Sequence, residues 1–133
     1  MEKMFKQIVL IQIILTPIYM LLDFLFPVPD EIYYLSYFDG ALANISESAL
    51  ILLGIISIVL LITYWVSLFL IYFFNPVGRS IYIWITVLLA FSLLIGPIVS
   101  TALASFLGTI HSMLVGATIV FMFFTSIKDK FVR

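Results

Sequence analysis

Long apolar stretches separated by short polar breaks dominate the hydrophobic pattern of this chain. Four stretches are long enough to cross about 30 Å of hydrocarbon as helices of roughly 20 residues. None alternates strictly between apolar and polar positions, so helices are favoured over the strands of a closed barrel. The predicted spans cover approximately residues 5–26, 48–74, 80–99 and 105–127. The pattern therefore predicts an all-α membrane protein, a single domain of four transmembrane helices.

The breaks between the predicted spans differ in length and character. Residues 27–47 are acidic and aromatic, and the acids that follow Pro29 are typical of a helix start. We therefore expect a short interfacial helix in this external connection, and an N-cap for span 2 within residues 44–47. Spans 3 and 4 lie in a nearly continuous apolar run, where Pro97 and the small residues after it mark the reversal.

The distribution of basic residues predicts the orientation, because lysine and arginine accumulate in cytoplasmic loops. Each of the six basic residues lies before span 1, between spans 2 and 3, or after span 4. They are Lys3, Lys6, Arg79, Lys128, Lys130 and Arg133. Both termini are therefore predicted to be cytoplasmic, in a bacterial inner membrane. A tight cytoplasmic turn between spans 2 and 3 is predicted at Asn75, Pro76, Gly78 and Arg79. Nearby, Tyr72, Tyr82 and Trp84 are expected to form the inner aromatic belt.

Composition agrees with lipid as the main solvent, since 65% of the residues are hydrophobic and 10% are charged. A net charge of −1 argues against nucleic acid as a partner, because phosphate backbones require a basic field. The chain has no cysteine, one histidine and no motif of an enzyme active site. No catalytic residue, metal site or cofactor is predicted, and membrane lipid is the first expected partner.

Small residues recur at intervals of four in the C-terminal half, most clearly at Ser92, Gly96, Gly108, Ser112 and Gly116. This spacing puts them on one face of each predicted helix, where small side chains let two backbones approach closely. Two interpretations stay open at this point. The faces either pack within one subunit, or they form an interface between subunits or the lining of a pore.

A few polar residues interrupt the apolar spans. Asp23 and His111 are expected at similar depth near the outer side and could form a proton-sensitive pair. Alternatively, Asp23 reaches outward to water, and His111 is hydrogen-bonded to nearby Ser or Thr. Gln12 and Thr16 are four residues apart and could both face the bundle. Interhelical packing with bonded polar groups is expected for Tyr64 and Trp65.

Several segments of the C-terminal half resemble small four-span bacterial inner-membrane proteins. They are residues 72–82, Gly96-Pro97, residues 115–117, residues 123–127 and Phe131. The resemblance implies the same four-span topology and no defined activity. By analogy of size and topology alone, several small four-span proteins serve as immunity proteins against pore-forming toxins or as membrane parts of anti-phage systems.

These observations predict a non-enzymatic protein that acts through helix–helix association, with itself as a homo-oligomer or with a membrane protein partner. Immunity, defence and scaffolding of a membrane complex are the expected roles. The alternative is a small oligomeric channel or transporter built around spans 3 and 4. A third interpretation is a sensor of pH or lipid that uses Asp23 and His111.

Overall fold

A computed structural model describes residues 1–25, 46–92 and 102–131 of the chain. These residues form four α-helices and a final 3-10 turn: α1 Glu2–Leu25, α2 Glu47–Tyr72, α3 Pro76–Ser92, α4 Ala102–Phe124 and η1 Ser126–Phe131. The described ranges contain no β-strand, so the all-α prediction is confirmed for them. The expected interfacial helix within residues 27–47, together with Gly96 and Pro97, lies outside the described residues.

Two of the described helices are long and apolar enough to cross a membrane. They are the Gly54–Tyr72 part of α2, with a mean hydropathy of 2.4, and α4, with a mean hydropathy of 1.8. Residues Pro76–Phe91 of α3 are apolar but fewer than 18. These features are compatible with a membrane location, and the number of crossings stays a prediction.

Local side-chain bonds explain where α2 and α3 begin. The Ser46 hydroxyl accepts a hydrogen bond from the Ala49 amide at 3.4 Å, which confirms an N-cap within residues 44–47. The Asn75 side chain accepts one from the Val77 amide at 2.9 Å, and Pro76 takes the first helical position. The two helices are therefore separated by only three residues, 73–75.

The turn between α2 and α3 contains a strained backbone position. Phe74 has a φ of 57°, in the left-handed region where glycine is usual after a helix. Its ring stacks on Phe5 with centroids 5.5 Å apart and meets the edge of Phe131 at the same separation. The aromatic contacts offset the backbone cost of placing a phenylalanine here.

The helices pack in the order α3, α2, α1, α4, and η1 folds back onto α4. Both described chain ends and the α2–α3 turn lie at one end of the bundle, which we call the terminal end. There the Glu2 carboxylate forms ion pairs with Lys6 at 3.2 Å and Lys130 at 3.4 Å. Beneath them, Phe5, Ile127 and Phe131 are buried, so α1, the turn and η1 share one apolar core.

Lowering the pH is expected to loosen the contact between η1 and the start of α1. A hydrogen bond from Lys6 and the charge of Lys130 hold the pKa of Glu2 below its ordinary range. The ion pairs therefore stabilise the contact above the ordinary glutamate pKa, and they are lost as the pH falls through the lowered value. Spin labels at the exposed positions Met4 and Lys128 should show a broader distance distribution below about pH 4.

The matched variant for this experiment is Glu2→Gln, which should give the broadened distribution at every pH. The effect is expected to be small because both ion pairs are exposed to solvent. A pH dependence that survives in Glu2→Gln would contradict the role of the Glu2 ion pairs.

Candidate functional site: a polar cluster at the centre of the bundle

Six polar side chains from all four α-helices meet inside the bundle. We call them the polar cluster: Gln12, Thr16, Tyr64, Tyr82, His111 and Thr118. Gln12, Tyr82 and Thr118 are completely buried, and Thr16 and Tyr64 are 2% exposed. Polar groups at such positions are costly unless they are bonded to one another, so their partners decide whether the cluster is stable.

Gln12 is the centre of the polar cluster. Its Oε1 accepts hydrogen bonds from the hydroxyls of Tyr64 at 3.1 Å and Tyr82 at 2.9 Å. Its Nε2 donates to the Leu114 carbonyl at 3.1 Å and to the Thr118 hydroxyl. A primary amide has two donor hydrogens and two acceptor lone pairs, and all four are used here. One side chain on α1 therefore connects α2, α3 and α4.

His111 joins the polar cluster through its Nε2. This atom lies 3.1 Å from the hydroxyls of both Thr16 and Tyr64. The Thr16 hydroxyl donates to the Gln12 carbonyl at 2.7 Å, and the Tyr64 hydroxyl donates to the Gln12 side chain. Each hydroxyl has only one hydrogen, so with these bonds formed the Nε2 of His111 must carry a proton and donate. The network thereby keeps a proton on Nε2 of His111.

Ring contacts fix the orientation of these groups. The rings of Tyr64 and Tyr82 stack with centroids 5.6 Å apart, and the edge of His111 meets Tyr64 at 5.7 Å. Next to Tyr64 along α2, the Trp65 indole donates to the Ile13 carbonyl at 3.1 Å. The expected interhelical packing with a bonded polar group is confirmed for Tyr64, as is the inward position of Gln12 and Thr16. The Trp65 indole is bonded across helices as expected, but its side chain is 40% exposed rather than packed.

Tyr82 corrects the predicted inner aromatic belt. The sequence predicts Tyr82 at the interface with Tyr72 and Trp84, but Tyr82 is completely buried and bonded to Gln12, whereas Trp84 is 67% exposed. The reason is the early start of α3 at Pro76 rather than near residue 80. Tyr82 therefore lies six residues, or about 9 Å, inside the helix and turns toward the core. The sequence feature that favours a core position for Tyr82 is Gln12, an inward-facing amide that requires hydrogen-bond partners.

The predicted pair of Asp23 and His111 is not part of the described cluster. Asp23 belongs to the α1 backbone, and its side chain lies outside what the structure describes. His111 contacts α1 at Thr16, seven residues before Asp23 and about 10 Å away along the helix axis. A histidine bonded to a nearby threonine, the other interpretation from the sequence, is therefore present, and the pair stays a prediction.

The small residues of α4 lie on a different surface from the polar cluster. We call Gly108, Ser112 and Gly116 the small face. Ser112 and Gly116 are exposed, Gly108 is half-buried, and a Cβ built on either glycine meets no atom within 4 Å. The Ser112 hydroxyl donates to the Gly108 carbonyl at 2.9 Å, so it needs no external partner. Among the described residues the small face is not packed against this chain; the side chain of Ser92 is not described.

The chemistry available to the polar cluster is hydrogen bonding and proton binding at one imidazole. Within the described residues, no group of three or more histidine or acidic side chains is arranged to hold a metal ion.

The α2–α3 junction contains the residues of the predicted turn, Asn75, Pro76, Gly78 and Arg79. There the Arg79 guanidinium lies 4.3 Å from the centre of the Phe123 ring.

Comparisons with known proteins give no family assignment. No family model matches the chain, and no curated protein or solved structure matches it.

Proposed function

We propose that this protein is a non-enzymatic, four-span protein of the bacterial inner membrane that acts by helix–helix association. The association surface is the small face of α4, and the occupant is a second copy of the chain. Association with another membrane protein, or a pore formed by several copies, are the other outcomes that the experiments below distinguish. For the biological role we propose immunity, defence or scaffolding of a membrane complex.

The charge distribution at the terminal end supports the proposed topology. Lys6 and Lys130 both pair with Glu2, Arg79 lies against Phe123, and Lys3 and Lys128 are close to these along the chain. The basic side chains in the described part of the protein are thus gathered at the end that carries both termini. Positive charge on one side of a four-span bundle is typical of cytoplasmic termini and a cytoplasmic second loop.

The outward direction of the small face is the observation that carries the proposed association. Gly108 and Gly116 have open space where a side chain would be, and α4 is one of the two described helices apolar enough to span a bilayer. Association in lipid depends on close packing, which a row of small residues at intervals of four allows. Internal packing, the other interpretation from the sequence, does not occupy these positions in the described structure.

The polar cluster inside the bundle favours a structural role over a transport role. Gln12 has its full set of partners within the chain, so the cluster stabilises one arrangement of four helices without a ligand. A transport path would require polar groups distributed along the bundle axis rather than satisfied in one cluster.

Leucine at Gly108 or Gly116 is expected to weaken self-association by about tenfold, which corresponds to about 1.4 kcal/mol. The added side chain would hold the two backbones apart. The measurement is the oligomer mass of the purified protein in uncharged detergent over a range of dilutions. Gly54→Leu in α2 is the matched control, because a Cβ there also meets no atom within 4 Å and the gain in helix propensity is the same.

Cross-linking tests the same surface in membranes, since the chain has no cysteine of its own. Ser112→Cys should form a disulfide-linked dimer, whereas Met113→Cys, exposed on the adjacent side of α4, should not. A wild-type protein that stays monomeric at all concentrations would contradict self-association. Capture of one different membrane protein by Ser112→Cys would show that this protein, and not a second copy of the chain, occupies the small face. Ion flux into liposomes that is abolished by Gly116→Leu would favour a channel formed by several copies.

A further inference from the structure

A groove of about 500 Å³ lies at the terminal end, between the beginning of α1 and the end of α2. We propose that this α1–α2 groove binds the phosphate of an anionic phospholipid from the cytoplasmic leaflet. Its lining residues are Glu2, Lys3, Lys6, Gln7, Leu10 and Tyr72. The inference rests on the membrane placement in the proposed function, and it is independent of self-association.

The charges that line the groove favour an anion. Lys3 and Lys6 bring two ammonium groups, and the single carboxylate, that of Glu2, is already paired with Lys6 and Lys130. Lys3 makes no ion pair within the part of the chain that the structure describes. Two lysines and one carboxylate line the groove, and Lys130, outside the lining, also pairs with Glu2, which leaves an excess of positive charge for a phosphate to neutralise.

The backbone of α1 adds donors at the same place. The first amide that closes a helical turn is that of Phe5, which donates to the Met1 carbonyl at 2.9 Å. The amides of residues 2–4 therefore have no acceptor within the helix. They carry the positive end of the helix dipole, and the side-chain carboxamide of the exposed Gln7 lies about one turn further along the groove.

The shape of the groove favours a lipid over a free phosphate. Leu10 lies seven residues after Lys3, about 10 Å farther from the terminal end. The Tyr72 ring forms the opposite wall, and the Lys6 ammonium lies 5.6 Å from its centre and 5.2 Å from that of Phe74. Basic groups at one end and apolar walls below them match a phosphate followed by acyl chains.

Native mass spectrometry in uncharged detergent tests this inference. The wild-type protein, titrated with phosphatidylglycerol or phosphatidylcholine, should retain phosphatidylglycerol preferentially. Lys3→Gln should lower its affinity for phosphatidylglycerol about fivefold, the effect of one lysine near an anionic surface. Lys128→Gln is the matched control, because it removes the same charge from an exposed lysine that does not line the groove, and its affinity should be unchanged.

Three results would overturn the inference. Equal retention of the two lipids would remove the role of charge, and an equal loss in Lys3→Gln and Lys128→Gln would remove the role of the groove. Competition by glycerol phosphate at the concentration of the lipid would show a headgroup site without acyl-chain contact. A separate experiment distinguishes failure of the lipid site from failure of the proposed function. Release of the protein from cell membranes without detergent would contradict the membrane placement itself.

Discussion

Gln12→Leu is expected to lower the free energy of unfolding by about 2–4 kcal/mol. Leucine has a similar volume, so the loss arises from hydrogen bonds rather than from a cavity. The substitution removes four bonds at once and leaves the buried hydroxyls of Tyr82 and Thr118 without their partner on α1. Interhelical hydrogen bonds in membranes contribute about 0.6 kcal/mol each on average, and unsatisfied buried groups add to this sum.

Unfolding in sodium dodecyl sulfate, followed by tryptophan fluorescence, measures this change. Gln7→Leu is the matched control, because Gln7 is on the same helix and exposed. Its effect should stay within about 0.5 kcal/mol, as is usual for surface substitutions. If Gln12→Leu unfolds at the wild-type detergent fraction, the apolar isostere has replaced the network without loss, and the polar cluster is not what holds the four helices together.

Gly78→Ala is expected to destabilise the protein by about 2 kcal/mol or more, an overpacking effect. A Cβ on Gly78 would overlap the Cβ of Leu70 and lie 3.0 Å from the Leu70 carbonyl carbon and 3.1 Å from the Ile71 nitrogen. Two of these three atoms belong to the backbone of α2, which cannot move aside by a change of rotamer. The close approach of α2 and α3 near their junction therefore requires a residue without a side chain.

Gly54→Ala is the control for this prediction, since a Cβ there meets open space. It should stabilise the protein by up to about 1 kcal/mol, because alanine favours a helix over glycine. The same detergent unfolding assay compares both variants. Stabilisation of similar size in the two would contradict the tight contact at Gly78.

Much of the fold follows from the sequence, because apolar length and local turn chemistry determine it. The helix bounds agree with the predicted spans within a few residues at α1 and α4, and Ser46 caps α2 within the expected segment. These features depend on neighbours in the chain, which a single sequence contains. The number of crossings and the orientation, by contrast, stay predictions, because they depend on lipid and on the segments outside the described residues.

The polar cluster could be predicted only in part. Gln12 and Thr16 are recognisable as polar exceptions in an apolar helix, which indicates that they face the bundle. Their partners are set by helix rotation and by the register between helices far apart in sequence. The sequence predicts Tyr82 at the interface because a tyrosine near a helix end suits an interface and a buried core position equally. Thr118 carries no signal beyond its polarity.

The position of Gln12 at the centre of the cluster has a consequence for the order of assembly. Its acceptor oxygen meets Tyr64 and Tyr82, which enter the membrane with the second and third helices under the proposed topology. Its two donor hydrogens meet only Leu114 and Thr118, about one hundred residues later in the chain. A nascent chain that stops before α4 would therefore expose an unsatisfied amide to lipid. This amide distinguishes an incomplete bundle from a finished one.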